Sequence, residues 1–260
     1  MAEVAFAGDW HGNAPWGKLV LERLGERGIT KLYHVGDFGP LPNGNGYMQT
    51  INRAAEENGV EIWVTPGNHE DWGVLTEAFK RNPNEAVALD DKTSNIKWCP
   101  PGLRWEDQDV TFVSLGGAAS INRSWLKEGK TWWPEEFISE SDVDHTIAGG
   151  YADIMITHDA PLPGIRSVQE IAKTPGNWRP LDLIYAQRGR EVLTRAWDAV
   201  KPRFTVHGHF HVYGFELGEY EGRELNICSL AKECDRGNVV TLDLEYVIGD
   251  MVPLAMKVYK

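Results

Sequence analysis

The sequence predicts an α/β fold: one domain in which two packed sheets carry helices on their outer faces. Apolar strand-like runs alternate with short amphipathic helix-like runs through the first third of the chain, strand-like runs dominate after residue 203, and no linker, repeat or low-complexity tract divides the two parts. Such alternation is the mark of βαβ units and a parallel sheet.

EVAFAG (3–8) predicts a buried strand, and KLVLERLGERG (18–28) a helix, with Leu19, Leu21 and Leu24 near helical spacing and Gly28 as its stop. TKLYHVG (30–36) and VEIWVTP (60–66) are the next strands, and YMQTINRAAEENG (47–59) and WGVLTEAFKRN (72–82) the next helices. Residues 96–117 read as short strands joined by turns. SESDVDHTIAGG (139–150) reads as a polar helix and YADIMITHD (151–159) as a strand. Proline, glycine and weak periodicity predict a long loop over 160–180, and 181–200 predicts a helix weakened at Gly189. Strands are expected at 203–208, 212–220, 223–230, 237–247 and 251–259, the later ones with hairpin character.

The chain has 260 residues, 42% of them apolar, enough for a sizeable core. A net charge of −12 disfavours long duplex nucleic acid and anionic membrane as partners. The three cysteines, Cys99, Cys228 and Cys234, form no C-x-x-C pair and suit a reducing compartment. The start MAEVAFAGD lacks the basic and apolar regions of a signal peptide, and no run is long and apolar enough to span a bilayer. The expectation is a cytoplasmic protein with no membrane partner.

Five short stretches carry the chemistry: GDWHG (8–12), VGD (35–37), PGNHE (66–70), ITHD (156–159) and VHGHFH (206–211). Each begins where an apolar strand run stops, and ligands of α/β sheets bind beyond the carboxyl ends of strands. Asp9 and His11 are two residues apart, as are His209 and His211, so each pair can point one way from an extended segment. Carboxylate, imidazole and amide oxygen together suit divalent metals of intermediate hardness, such as Mn, Fe, Co, Ni or Zn. Asp9, His11, Asp37, Asn68, His158, His209 and His211 are too many ligands for one ion. Two ions roughly 3.5–4 Å apart and sharing a carboxylate would use them all.

DWH (9–11), GD (36–37), GNHE (67–70), His158 and GHFH (208–211) resemble, in this order, the motifs of the calcineurin-like metallophosphoesterases. The resemblance implies a four-layer αββα sandwich of two mixed sheets flanked by helices. It implies one metal on Asp9, His11, Asp37 and His211 and a second on Asn68, His158 and His209, with Asp37 as the bridge. It further implies that a bridging hydroxide attacks phosphorus in line with the leaving oxygen, that Asn68 and His69 steady the phosphoryl oxygens, and that His69 gives the leaving oxygen its proton. Two positions depart from the family pattern: Pro40 stands where an aspartate commonly orients the GNHE histidine, which leaves Glu70 and Asp71 as substitutes, and ITHD (156–159) lacks the glycine that many members have beside the histidine, though the ligand remains.

The expected activity is hydrolysis of phosphodiesters ahead of phosphomonoesters, on a small phosphoester or nucleotide, with two divalent ions and manganese first among them. A phosphodiesterase acting on short nucleic acid and a metal-bound scaffold without turnover are the alternatives. INRSWLKEGKTWWPEE (121–136), within a Trp-rich segment over about 118–150, joins Arg123 to Trp132 and Trp133; it either clamps substrate or is a loop pinned by its tryptophans. Arg166 is a further candidate for substrate binding. His34, Trp63 and Trp197 read as packing residues, and His145 as solvated.

Overall fold

A computed structural model describes residues 3–39, 46–174, 176–220, 223–248 and 257–258. The first sheet contains β1 (Glu3–Ala7), β2 (Lys31–His34), β3 (Glu61–Val64) and β4 (Ile96–Trp98) as parallel neighbours. The second contains β5 (Arg104–Asp107), β6 (Val110–Leu115), β7 (Ile154–Thr157), β8 (Phe204–His207), β9 (Gly214–Tyr220) and β10 (Arg223–Ser229) in the order β5-β6-β7-β8-β10-β9. β11 (Val239–Asp243) returns to the first sheet antiparallel to β1, and β12 (Lys257–Val258) extends that edge, giving β12-β11-β1-β2-β3-β4.

Side-chain alternation explains why both sheets are covered twice. On β1, Val4 and Phe6 enter the core between the sheets with Phe112, Ile154, Ile156, Phe204 and Val206. Ala5 and Ala7 point the other way, where small side chains let helices approach. That outer face carries α1 (Ala14–Glu26), α2 (Tyr47–Glu57) and α3 (Trp72–Arg81), which bury Leu21, Ile51 and Leu75 against it. The outer face of the second sheet carries α4 (Glu140–Ala148), α5 (Arg166–Lys173) and α6 (Pro180–Val200), with Val143, Val168 and Leu193 in its core. The layers are thus α, β, β, α, the expected sandwich.

Several boundaries differ from expectation. α1 begins at Ala14 because the Asn13 side chain accepts the Trp16 N–H (3.1 Å) and proline stands in its first turn. The loop expected over 160–180 contains α5, an eight-residue helix in which Val168, Ile171 and Ala172 recur at helical spacing but Val168 alone is buried, too short a run to stand out among the prolines and glycines around it. The strand expected over 237–247 ends at Asp243, whose carboxylate accepts the Glu245 N–H (3.1 Å) and starts α7 (Glu245–Ile248). Of the strand expected over 251–259, Lys257–Val258 is described and the rest lies outside the described residues, as does Pro40. Among the described residues no helix is long and apolar enough to cross a membrane.

Candidate metal centre

Because β1, β2 and β3 run parallel, the loops after them leave one edge of the first sheet together. The Trp10 and His11 N–H groups donate to the Asp37 carbonyl (3.0 and 2.8 Å), which knits the first two loops. β7 and β8 end on the same side in the second sheet, and His158 crosses between sheets to bond the Val35 carbonyl through Nδ1 (2.7 Å). The wholly buried Glu70 accepts the Asp37 and Phe38 N–H groups (3.1 and 2.9 Å) and that of Gly67, tying the loop after β3 to the loop after β2.

Two groups of ligand atoms result. Asp9, His11, Asp37 and His211 each offer one atom within 4.8 Å of the others, and so do Asp37, His158 and His209. Asp37 belongs to both. Its Oδ2 lies 3.6 Å from His11 Nε2 and its Oδ1 3.3 Å from His158 Nε2, while Asp9 Oδ2 lies 3.1 Å from His211 Nε2. The Asn68 Oδ1 lies 3.2 Å from His158 Nε2, beside the second group. His11, Asp37, His209 and His211 all have positive φ, between 45° and 67°. Each such residue costs roughly 1–3 kcal/mol and persists only where its surroundings hold it. Gly208 is required for a different reason: a Cβ there would strike the Asp9 carboxylate.

The donor set fits divalent cations. Asp9 and Asp37 are buried carboxylates whose side-chain ion-pair partners, among the described residues, are all histidines. Burial opposes ionisation of Asp37, yet His158 and His11 hold its carboxyl well below the usual carboxylate range. Burial likewise opposes protonation of His158 and His11, but Asp37, joined at His11 by Glu233, raises them to about 10 and about 9. Burial and the neighbouring His158 push His209 well below the usual histidine value. Without metal, protons answer the anionic field; a cation answers it with every imidazole neutral. The remote nitrogens are already placed for this, since Val35 O holds His158 Nδ1 and Glu233 Oε2 holds His11 Nδ1 (3.0 Å).

His69 donates its backbone N–H to Asp37 Oδ1 (2.9 Å), and its half-exposed ring stands with Nε2 3.8 Å from Asp37 Oδ2. The proposed substitutes for its missing aspartate are engaged elsewhere: Glu70 on backbone amides, and Asp71 as the cap of α3, accepting the Val74 N–H (3.1 Å).

The Trp-rich segment reaches the site indirectly. Asn68 Nδ2 donates to Ser120 Oγ (3.0 Å), and the buried Glu136 Oε1 accepts both the Ser120 N–H and Trp132 Nε1 (2.8 Å each). Burial pushes the Glu136 carboxyl up to about 8. Arg123 stacks between the Trp132 and Tyr185 rings, 4.8 and 4.6 Å from their centroids. Trp133 packs against the helix-side core of the first sheet. Arg166 is exposed in the first turn of α5, with Nε 3.3 Å from Glu170. His34 packs between Trp10 and Phe38; His207 is buried at the end of β8 and kept neutral by that burial. Trp197 is buried and Trp63 packs against the core between the sheets.

Sequence reasoning missed Ser120, Glu136, Glu233 and Asn238, whose Oδ1 accepts from Trp10 and Trp16 beneath the first motif. Ser120 and Glu233 follow the apolar ends of β6 and β10, so the rule that found the ligands could have found them too.

Comparison with known proteins agrees with the fold. The profile of the calcineurin-like phosphoesterase family matches residues 2–213. Among solved structures, the TT1561 protein of Thermus thermophilus is similar over 100% of this chain and 98% of its own, at 11% identity and a TM-score of 0.55. A dimetal phosphatase from Danio rerio is similar over 92% and 94%, at 10% identity and a TM-score of 0.52. Likeness at such identities concerns the fold. No curated protein matches the sequence significantly.

Proposed function

The chain belongs to the calcineurin-like phosphoesterase family and is a metal-dependent phosphoesterase with a binuclear site; from that premise we propose that it hydrolyses small phosphodiesters in preference to phosphomonoesters. The observation that carries the two-metal phosphoesterase reading is that Asp37 belongs to both ligand groups. Asp9, His11 and His211 would complete one ion's shell, and Asn68, His158 and His209 the other's. Divalent cations held there supply Lewis-acid charge for the phosphoryl oxygens and lower the pKa of water. Manganese leads the candidates, with Fe, Ni, Co and Zn behind it, because the donors mix imidazole with carboxylate and amide oxygen.

The chain's own residues do the rest. Asn68, its amide held by Ser120, presents oxygen to the second group. Glu233 and the Val35 carbonyl fix the tautomers of His11 and His158. His69 stands on the open side beside Asp37, within reach of a leaving oxygen, and serves as its proton donor. The preference for diesters rests on the arginines. Arg123 is stacked between rings and Arg190 donates to backbone carbonyls, so neither is free to meet a monoester's second negative charge, while Arg166 lies on the exposed face of α5 beside Glu170. A cytoplasmic setting is supported by three free cysteines.

The test is hydrolysis of bis(p-nitrophenyl) phosphate and p-nitrophenyl phosphate by protein reconstituted with Mn, Ni, Zn or Mg. Metal-dependent turnover with the diester faster is expected. Monoester turnover alone would reverse the preference, and bound metal without turnover on either would favour a scaffold.

A further inference from the structure

Beside the metal centre runs a groove of about 620 Å³ bordered on one side by His209 and His211. Its walls are apolar for most of their length: Ile171 of α5, Leu183 of α6, Phe210 between the two histidines, and Trp178 at the mouth. The two charged residues that border it are both engaged. Arg190 gives Nε to the Ala160 carbonyl (2.9 Å) and Nη2 to those of Pro161 and Pro163 (3.4 and 3.3 Å), with its guanidinium 5.3 Å from the Phe210 ring. The buried Asp159 accepts the Ala160 N–H (2.7 Å).

At the mouth, Trp178 meets Trp125 with ring centroids 5.3 Å apart. Trp125, Ile171 and Trp178 remain 54%, 41% and 36% exposed, an apolar rim of the kind that marks a binding site. The Trp-rich segment is held there from α6, where Asp182 accepts the Ser124 N–H (3.2 Å) and hydroxyl.

We propose that this groove receives the organic group of the phosphoester, and that this group is uncharged, largely apolar and of aromatic-ring size. The volume lies in the range of small-molecule sites, and the pattern of apolar walls with few polar groups is theirs as well. A second phosphate would meet Asp159 and no uncommitted cation on these walls. The uncharged polar groups of the lining, Thr174 and Gln187, already donate to the Glu170 carbonyl (2.9 Å) and the Glu191 carboxylate (3.2 Å), so a polyol would lose more hydrogen bonds to water than it regained. The occupant is fixed by continuity: His209 and His211 line the groove and also carry ligand atoms of the two metal groups, so a phosphoryl group at the metals directs its substituent along Phe210. The inference rests on the phosphoester reading above.

Titration calorimetry on the manganese-loaded protein, with metal content measured on the same sample, tests it with phosphinates, which like a diester carry one negative charge and two organic groups but no hydrolysable ester. Burying most of a phenyl ring should make methyl(phenyl)phosphinate bind at least about tenfold more tightly than dimethylphosphinate. (2-Hydroxyethyl)methylphosphinate should bind no more tightly than dimethylphosphinate. Ile171→Glu and Trp178→Ala, both at partly exposed positions, should each bring the phenyl-to-methyl ratio down toward one. Equal affinity for the phenyl and dimethyl compounds, tighter binding of the hydroxyethyl compound, or a ratio indifferent to both variants would overturn the groove assignment while the phosphoester reading stood. Two bound metals with no affinity for any phosphinate and no turnover of either p-nitrophenyl ester would overturn that reading, and the groove assignment with it.

Discussion

At Asp37 one buried carboxylate faces His11 through one oxygen and His158 through the other, and its backbone has the left-handed conformation that only a crowded site maintains. The side chains that orient this cluster are as testable as the ligands. Ser120→Ala removes the acceptor of the Asn68 amide and should weaken metal affinity at the second group about 10–100-fold, read by competition with a metal indicator. Glu233→Gln should act on the first group in the same direction. His69→Ala should leave metal content unchanged and reduce turnover about 10²–10⁴-fold on alkyl esters, with a much smaller effect on p-nitrophenyl esters, whose leaving group needs no proton. Equal losses on both substrate types would remove its role as an acid. At this scale the five motifs were legible because each ligand follows an apolar run within a few residues. Ser120 and Glu233 also stand a few residues past the apolar ends of β6 and β10, but no histidine beside them marks the position, and Glu136 carries no spacing signal until the fold brings it to its partners.

At the scale of elements, the first sheet shows how neighbouring strands support one another. Lys31 on β2 and Lys97 on β4 both reach Glu61 on β3, and both ammonium groups lie over Trp63, 5.5 and 5.7 Å from its ring centroid. Burial works to raise the Glu61 carboxyl, but the two lysines override it and hold it at about 2. A depressed carboxyl contributes stability above its unfolded value of about 4.5, and that contribution is lost as pH falls through about 2. Allowing for solvent screening at this half-buried site, it is about 1–2 kcal/mol. Glu61→Gln should therefore lower urea stability by that amount at pH 7 and flatten the stability curve between about pH 4.5 and 2. An unchanged curve would show the triad to be energetically idle. The strands and helices of the first third were readable because both periodicities run through them intact. α5 and α7 were not. A single buried valine marks the first, and a local Asp243 cap diverts the second from an apolar run that reads as strand.

At the scale of the whole molecule, two sheets with parallel central strands are stacked so that their carboxyl ends meet, and the metal centre lies on that line of contact. Neither sheet alone would supply the ligands of either ion. Asp9, His11, Asp37 and Asn68 come from the first and His158, His209 and His211 from the second, so metal binding should brace the sheets against each other. At free metal about 100 times its Kd the folded state gains about 2.7 kcal/mol, and chelation should lower Tm by about 5–10 °C. The sandwich was legible from the alternation of elements; the approach of the two sheet edges was not, because it depends on packing of Phe6, Phe112 and Phe204 between them rather than on any local pattern. The central claim is a two-ion site joined at Asp37. Its most direct test is elemental analysis of manganese-reconstituted protein beside the Asp37→Asn variant, with diester turnover followed against metal added. Two ions per chain in the native protein, at most one in the variant, and turnover that rises with the second equivalent are expected. One ion or none in the native protein, or two retained in the variant with turnover intact, would contradict the account.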